Sequence, residues 1–381
     1  DVINLVSKPK QMEDDYKGDG RRFYTDGPHI HEYLKEMVRV TGIEDFVTVG
    51  EMSSTTLENC IKYSAPEEKE LSMCFNFHHL KVDYKDGDKW ALMDPDYKQL
   101  KDLFVAWQMG MQEKHGWNAL FWCNHDQPRI VSRMGDEGKY WKESAKMLAG
   151  MIHLMRGTPY IYQGEEIGMM NAHYPSIEQY RDVESLNYYQ ILLERSKTKE
   201  EALEILAARS RDNSRTPMQW NQEKYGGFSE TEPWIPMSTE FQKEITVEAQ
   251  QKDDTSILAF YKKLIAMRKE YSIIADGTIR FIDIEDDMVM AYERRLGEQK
   301  LVVFCNMDGE QHSIKMADEW KNYKALLENY EWKKPALLEE IYSMEPYELL
   351  VLVKNPLHES LEIPDDGNFD YPELKAIVKE V

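Results

Sequence analysis

The stretch Phe46-Val47-Thr48-Val49-Gly50-Glu51 predicts a buried strand that ends in a carboxylate, and Ala119-Leu120-Phe121-Trp122-Cys123-Asn124-His125-Asp126 predicts a second one. Buried runs of this kind, alternating with helices, are typical of parallel sheets. In a βα barrel the C-terminal ends of the strands form the active-site face. We therefore expect Glu51 and Asp126 to lie at one end of the same fold.

The rest of the chain extends this pattern of alternating strands and helices. Strands are predicted at Asp1–Val6, Phe46–Gly50, Met73–Phe77, Ala119–Cys123 and Pro159–Tyr162. Helices are predicted over His29–Val40, after Ser53-Ser54-Thr55, from Asp94-Pro95 to about Gln112, and over Tyr140–Met155 and Ser256–Lys269. The amphipathic spacing of Ser256–Lys269 indicates a helix that packs against a core.

After Gly277 the pattern changes to short strands separated by turns, which is typical of an antiparallel β-sandwich. The predicted strands are Ile279–Ile284, Met288–Tyr292, Lys300–Asn306 and Glu348–Val353. We expect an α/β fold: the C-terminal portion of a TIM (β/α)8 barrel over residues 1–275, a small β-sandwich domain over 276–354 and an acidic tail over 355–381. Five predicted strands are fewer than the eight of a barrel. The first three are therefore expected to precede this chain, which alone should be inactive.

Composition excludes several classes of function. The net charge of −22 argues against nucleic acid and anionic membranes as partners. The four cysteines show no spacing typical of a metal site, which favours free thiols in a reducing cytoplasm. The sequence contains no signal peptide and no apolar run that could span a bilayer.

Three carboxylates are candidates for catalysis: Asp1 before Val2-Ile3-Asn4-Leu5, Glu51 and Asp126. Glycoside hydrolysis needs a nucleophile, a proton donor and charge that supports an oxocarbenium-like transition state. Taken alone, Glu51 could equally be a solvated loop carboxylate and Asp126 a residue that caps a turn. The polar run from Asn124 to Arg129 directly after an apolar strand favours a site.

These residues resemble the α-amylase-type glycoside hydrolase family, and its oligo-1,6-glucosidase branch in particular, over roughly residues 1–353. The motifs are Asp1-Val2-Ile3-Asn4, Thr48–Glu51, Asn124–Asp126, Gly157–Glu166 and Arg211–Trp220. The resemblance implies that Asp1 is the nucleophile, Glu51 the acid/base and Asp126 the carboxylate that stabilises the transition state. It also implies that His125 and Arg211 contact substrate and that no cofactor is needed, and it leaves open a structural Ca²⁺ site in the part expected to precede this chain.

Three further stretches resemble the trehalose-6-phosphate hydrolases within that branch: Gly20–Pro28, Met52–Cys60 and Phe75–Tyr84. The resemblance implies hydrolysis of a small phosphorylated disaccharide, α,α-trehalose 6-phosphate, to glucose and glucose 6-phosphate. Lys81 with His78 or His79 would read the phosphate, because a lysine is a compact point charge and a histidine adds a donor. Two alternatives stay open: a glucosidase for neutral oligosaccharides, and a non-catalytic barrel like that of amino-acid transporter heavy chains.

Overall fold

Four short parallel strands form the first part of the fold. The computed structural model describes residues 2–11, 13–16, 18–238, 243–330 and 339–354. The strands are β1 (Val49–Glu51), β2 (Met73–Phe75), β3 (Ala119–Leu120) and β4 (Thr158–Pro159). β1 pairs with β2 and β3 with β4, and a parallel bridge between Cys74 and Asn118 joins the two pairs. Their C-terminal ends therefore lie along one edge.

Helices separate these strands and continue beyond them. They are α1 (Ile30–Thr41), α2 (Leu57–Ser64), α3 (Tyr97–Glu113), α4 (Ile130–Met134), α5 (Trp141–His153), α6 (Val183–Glu194), α7 (Lys199–Arg209), α8 (Asp212–Arg215), α9 (Val247–Gln250), α10 (Ile257–Glu270) and α11 (Ser272–Asp276). Local sequence explains several helix starts, because Thr56, Asp96, Asp182 and Ser256 each accept a hydrogen bond from a backbone amide in the first turn.

An antiparallel sheet follows α11. Its strands run in the order β5 (Thr278–Phe281), β6 (Val289–Leu296), β7 (Gln299–Asn306), β11 (Leu349–Val353) and β9 (Lys324–Glu328). A second, two-stranded sheet pairs β8 (His312–Lys315) with β10 (Ile341–Met344). The α/β fold with a C-terminal antiparallel sheet is as predicted. The domain boundaries stay predictions, and residues 355–381 lie outside the described residues.

Helix α5 connects the two parts of the molecule. Every residue from Ser144 to His153 is buried. On one side the indole of Trp122 donates to the Leu148 carbonyl at 2.7 Å, and on the other the hydroxyl of Tyr292 donates to the Met151 carbonyl at 2.7 Å. Because Trp122 lies two residues after the end of β3, this helix fixes the start of the loop that carries Asp126.

The prediction of a strand at the beginning of the chain is wrong for the residues described there. Ile3–Leu5 form a 3-10 turn, and Val2 has a left-handed φ of 38°. The physical reason is the side chain of Asn4, which is buried and bonds to the backbone of Ser53 instead of continuing a ladder. Asp1, the expected nucleophile, lies outside the described residues.

Candidate active site

Glu51 is the last residue of β1 and is half-buried at the edge where the parallel strands end. The backbone amide of Val2 donates to its Oε2 at 3.1 Å. The beginning of the chain therefore lies beside Glu51. A retaining enzyme would hold the carboxyls of Asp1 and Glu51 about 5–5.5 Å apart. This distance stays a prediction, because Asp1 lies outside the described residues.

Asp126 lies in the loop after β3, where two arginines surround it. Arg215 brings Nη2 to within 2.7 Å of Oδ1, and Arg211 brings Nη1 to within 3.5 Å. Arg215 also donates from Nε to the carbonyl of His125 at 2.8 Å. The Asn124 side chain accepts from the Asp126 amide at 2.8 Å, which closes the turn. Asp126 is thus a partly exposed carboxylate that is held from both its side chain and its backbone.

Arg215 and Glu184 are the site residues that the sequence did not single out. Arg215 lies in the motif Arg211–Trp220, but nothing in the spacing separates it from Arg211. Glu184 lies in the first turn of α6 and accepts from the Nε of Arg211 at 3.1 Å, and Lys89 lies 2.7 Å from the same carboxylate. Arg211 therefore bridges Glu184 and Asp126. His125 points largely into solvent, with 68% of its side chain exposed.

The loop below Asp126 rests on the buried guanidinium of Arg129. It donates to the carbonyl of Gln163 at 2.6 Å and to that of Ser214 at 3.2 Å, and desolvation lowers its pKa. These bonds link the loop after β3 to the loop after β4 and to helix α8. Because Ser214 precedes Arg215 directly, Arg129 also helps to place the arginine that holds Asp126.

The basic segment after β2 forms a 3-10 turn over His78–Leu80. The ring of His78 lies 4.8 Å from that of Trp107, and burial followed by the charge of Lys81 lowers its pKa. Partial desolvation, followed by the charge of Arg21, lowers the pKa of Lys81, although its side chain reaches solvent. Within the described ranges no acid lies within salt-bridge distance of Lys81. Lys81 thus carries the positive charge of this segment beside the uncharged ring of His78, while the nearby Arg21 is paired with Asp19 at 2.6 Å.

His79 is a core residue, which corrects the expectation that it could read a phosphate. It is buried, and its Nε2 lies 2.8 Å from the carbonyl of Phe121. Burial lowers the pKa of its imidazole to about 4, so the ring is neutral near pH 7. Its ring also packs against Phe104 and Trp122.

The described residues form neither a metal site nor a membrane-spanning helix. In the part of the chain that the structure describes, no group of three or more His, Cys, Asp or Glu side chains is placed to hold a metal ion. In those same ranges, no helix combines the length and apolarity needed to cross a membrane.

Comparison with known proteins identifies the family to which the chain belongs. Residues 1–277 match the alpha amylase catalytic domain. The chain belongs to this family. Members with similar sequences include the trehalose-6-phosphate hydrolases of Bacillus subtilis strain 168, 49% identical over 92% of this chain and 63% of that protein, and of Escherichia coli K12, 51% identical over 88% and 61%. The oligo-1,6-glucosidase of Parageobacillus thermoglucosidasius is 42% identical over 92% of this chain and 64% of that protein.

Solved structures of proteins with similar sequences have a similar fold. The crystal structure of Bacillus licheniformis trehalose-6-phosphate hydrolase superimposes with a TM-score of 0.86 at 51% identity, covering 92% of this chain and 64% of that one. An isomaltulose synthase from Erwinia rhapontici NX5 gives a TM-score of 0.85 at 32% identity, over 93% and 64%. This alpha amylase family chain thus spans about three fifths of the length of its curated relatives.

Proposed function

We propose that the protein containing these residues is a retaining α-glucosidase that hydrolyses α,α-trehalose 6-phosphate to glucose and glucose 6-phosphate. The observation that carries the proposal is a pair of carboxylates, Glu51 and Asp126, at the C-terminal ends of parallel strands. Lys81 and His78 follow β2, the strand that lies between those two in the chain. The identity of about 50% to two trehalose-6-phosphate hydrolases supports the same substrate.

In the proposed mechanism Asp1 attacks the anomeric carbon while Glu51 protonates the departing glycosidic oxygen. Glu51 then removes a proton from the water that releases the covalent glucosyl-enzyme, as in other retaining glycosidases. The amide of Val2 beside Glu51 supports this pairing, since it brings the residue after Asp1 to the acid/base. Asp126 binds ring hydroxyls more tightly as the ring flattens, while His125 and Arg211 contact the sugar.

Lys81 and His78 are proposed to bind the phosphate. A phosphate dianion attracts an ammonium group that has no carboxylate partner more strongly than one already paired. The pKa of His78 is lowered, so at neutral pH its imidazole contributes a hydrogen bond rather than a full charge. We leave His79 out of this site because it is buried in the core.

The proposal also covers the rest of the barrel, the location in the cell and a second candidate function. The catalytic unit is proposed to need further barrel strands, because the four parallel strands among the described residues do not close a barrel. A cytoplasmic location is supported by four free, buried cysteines. The second candidate function is a glucosidase for neutral oligosaccharides, which the identity of 42% to an oligo-1,6-glucosidase favours.

The test replaces Lys81 by Ala in the full-length protein and compares kcat/KM on trehalose 6-phosphate with that on 4-nitrophenyl α-glucoside. A charge-assisted contact contributes about 1.5–3 kcal/mol, so we expect a roughly ten- to hundredfold loss on the phosphorylated sugar alone. Lys85→Ala is the matched control, since Lys85 is an exposed lysine in the next turn. Equal losses on both substrates, or none, would remove Lys81 from the phosphate site. A preference of the unmodified enzyme for isomaltose would favour the second candidate.

A further inference from the structure

Asp26 is the acceptor at the centre of a polar cluster behind β1. Its Oδ1 accepts from the Asn4 amide at 3.0 Å and from the Tyr63 hydroxyl at 2.5 Å. Its Oδ2 accepts from the Thr55 hydroxyl at 2.9 Å and from the Asn59 amide at 3.0 Å. A carboxylate can accept about four hydrogen bonds, so this one is fully used by protein donors.

The donors come from three different segments of the chain. Asn4 belongs to the 3-10 turn Ile3–Leu5, Thr55 to the loop after Glu51, and Asn59 and Tyr63 to helix α2. If Asp26 served only the end of α2, its donors would all be local to that helix. Instead, it joins the segment that carries the proposed nucleophile to the segment that carries the proposed acid/base.

Asn4 makes the same connection directly. Its side-chain amide donates to the carbonyl of Ser53 at 2.8 Å, and its oxygen accepts from the amide of Ser53 at 2.9 Å. The side chain of Asn4 thus pairs with a backbone two residues after Glu51, as a neighbouring strand would. Asn4 is fully buried, so water does not replace either bond.

The backbone of Asp26 is held in an unusual conformation for this purpose. Its φ is 49°, in the left-handed region that, apart from glycine, mainly asparagine, aspartate and histidine adopt. Its amide donates to the carbonyl of Asn4 at 3.0 Å, which adds a backbone link to the side-chain bond. The chain accepts local strain here in order to point a carboxylate at both segments.

We propose that Asn4 and Asp26 are positioning residues that hold Glu51 at a fixed separation from the backbone of Val2. The inference rests on the proposed function, because it assigns a purpose to that separation. In a retaining enzyme the two carboxyls lie about 5–5.5 Å apart, and a displacement of about 1 Å can cost on the order of a hundredfold in rate. Neither residue needs to touch the substrate.

The test replaces Asp26 by Asn in the full-length protein. Asn adopts a left-handed φ as readily as Asp does, so the backbone is preserved. Its amide nitrogen, however, cannot accept and must face two donors. Glu348→Gln is the matched control: Glu348 is a buried acceptor for the hydroxyl of Tyr342 at 2.5 Å, in the C-terminal sheet. Melting temperatures of both variants measure the structural cost.

The deciding readout is kcat/KM on a series of aryl α-glucosides whose leaving groups differ in pKa. A displaced Glu51 protonates the leaving oxygen poorly, so we expect Asp26→Asn to lose roughly tenfold or more on poor leaving groups and less on good ones. Glu348→Gln should leave every kcat/KM unchanged. Should Asp26→Asn fail to fold, Tyr63→Phe and Tyr342→Phe form a milder pair with the same comparison.

Two outcomes would overturn the inference, and they can be told apart. A loss that is equal across all leaving groups, or no greater than that of the control, would make the cluster structural only. An unmodified enzyme that cleaves no α-glucoside would refute the proposed function, and the positioning role with it. Activity on the aryl series without activity on trehalose 6-phosphate would refute the substrate alone and leave this test intact.

Discussion

Replacing Glu165 by Gln should change how stability depends on pH. Glu165 follows β4 and lies buried beside Tyr261, whose hydroxyl donates to its Oε1 at 2.8 Å. Desolvation raises its pKa to about 7, against smaller lowering effects from its hydrogen bonds with Tyr261 and Cys123. The folded protein therefore keeps a proton on Glu165 at pH values where the unfolded chain has already lost it.

The sign follows from proton linkage. Between the ordinary pKa of 4.5 and the folded value of about 7, the folded state binds more protons than the unfolded state. The free energy of unfolding therefore falls as pH rises through this window and is constant above it. One pKa unit corresponds to about 1.4 kcal/mol, so Glu165 costs about 3 kcal/mol at pH 8 that it does not cost at pH 4.5.

Urea denaturation at pH 5 and at pH 8.5 measures this difference. We expect Glu165→Gln to gain about 3 kcal/mol relative to the unmodified protein between the two pH values, because a neutral amide has no proton to lose. Glu200→Gln, an exposed glutamate in the first turn of α7, is the control and should show almost no change. A Glu165→Gln effect that is the same at both pH values would refute the reasoning.

Two other changes test the site and the C-terminal sheet. Replacing Arg215 by Met should lower kcat of the full-length enzyme at least tenfold, with a smaller change in KM, because Asp126 loses its 2.7 Å partner. Steady-state kinetics on trehalose 6-phosphate measure this effect. Arg215→Lys should recover part of the loss. Replacing His312 by Gln should destabilise the protein in acid and progressively less as pH rises through the folded pKa. Desolvation lowers that pKa, but Asp286 and Asp308 raise it by more. A cost in urea that is constant from pH 5 to pH 9 would contradict this expectation.

The sequence predicted the elements that local patterns specify. Four parallel strands, the helix over Ile257–Glu270 and the C-terminal strands β5, β6, β7 and β11 appear near their expected positions, whereas β8, β9 and β10 were not predicted. The strands are shorter than predicted: β3 has only two residues, and the apolar residues that follow it, Phe121, Trp122 and Cys123, are buried without extending the ladder. An apolar run predicts where a segment is buried, but it does not predict where hydrogen bonding with the adjacent strand ends.

Long-range contacts explain the errors. Asn4 forms its bonds with Ser53, which lies 49 residues away, so no local pattern could replace the expected strand by a turn. His78 and His79 are adjacent and chemically identical, and only the 3-10 turn decides that His79 faces the core. Arg215 differs from Arg211 only in where helix α8 points it. In each case the missing information is the position of a partner distant in sequence.

The net charge of the chain is negative, whereas Lys81 supplies a local positive charge, and the local charge matters for binding. The net charge is −22, but screening limits its reach to about 8 Å at physiological salt. Arg211 and Arg215 are each paired with Asp126. Lys81, in contrast, has no acid within salt-bridge distance in the described ranges. A phosphate approaching the site would displace an existing ion pair at Arg211 or Arg215 but not at Lys81. Under the proposed function, the phosphate end of the substrate is therefore expected at Lys81, and the arginines are expected to keep holding Asp126.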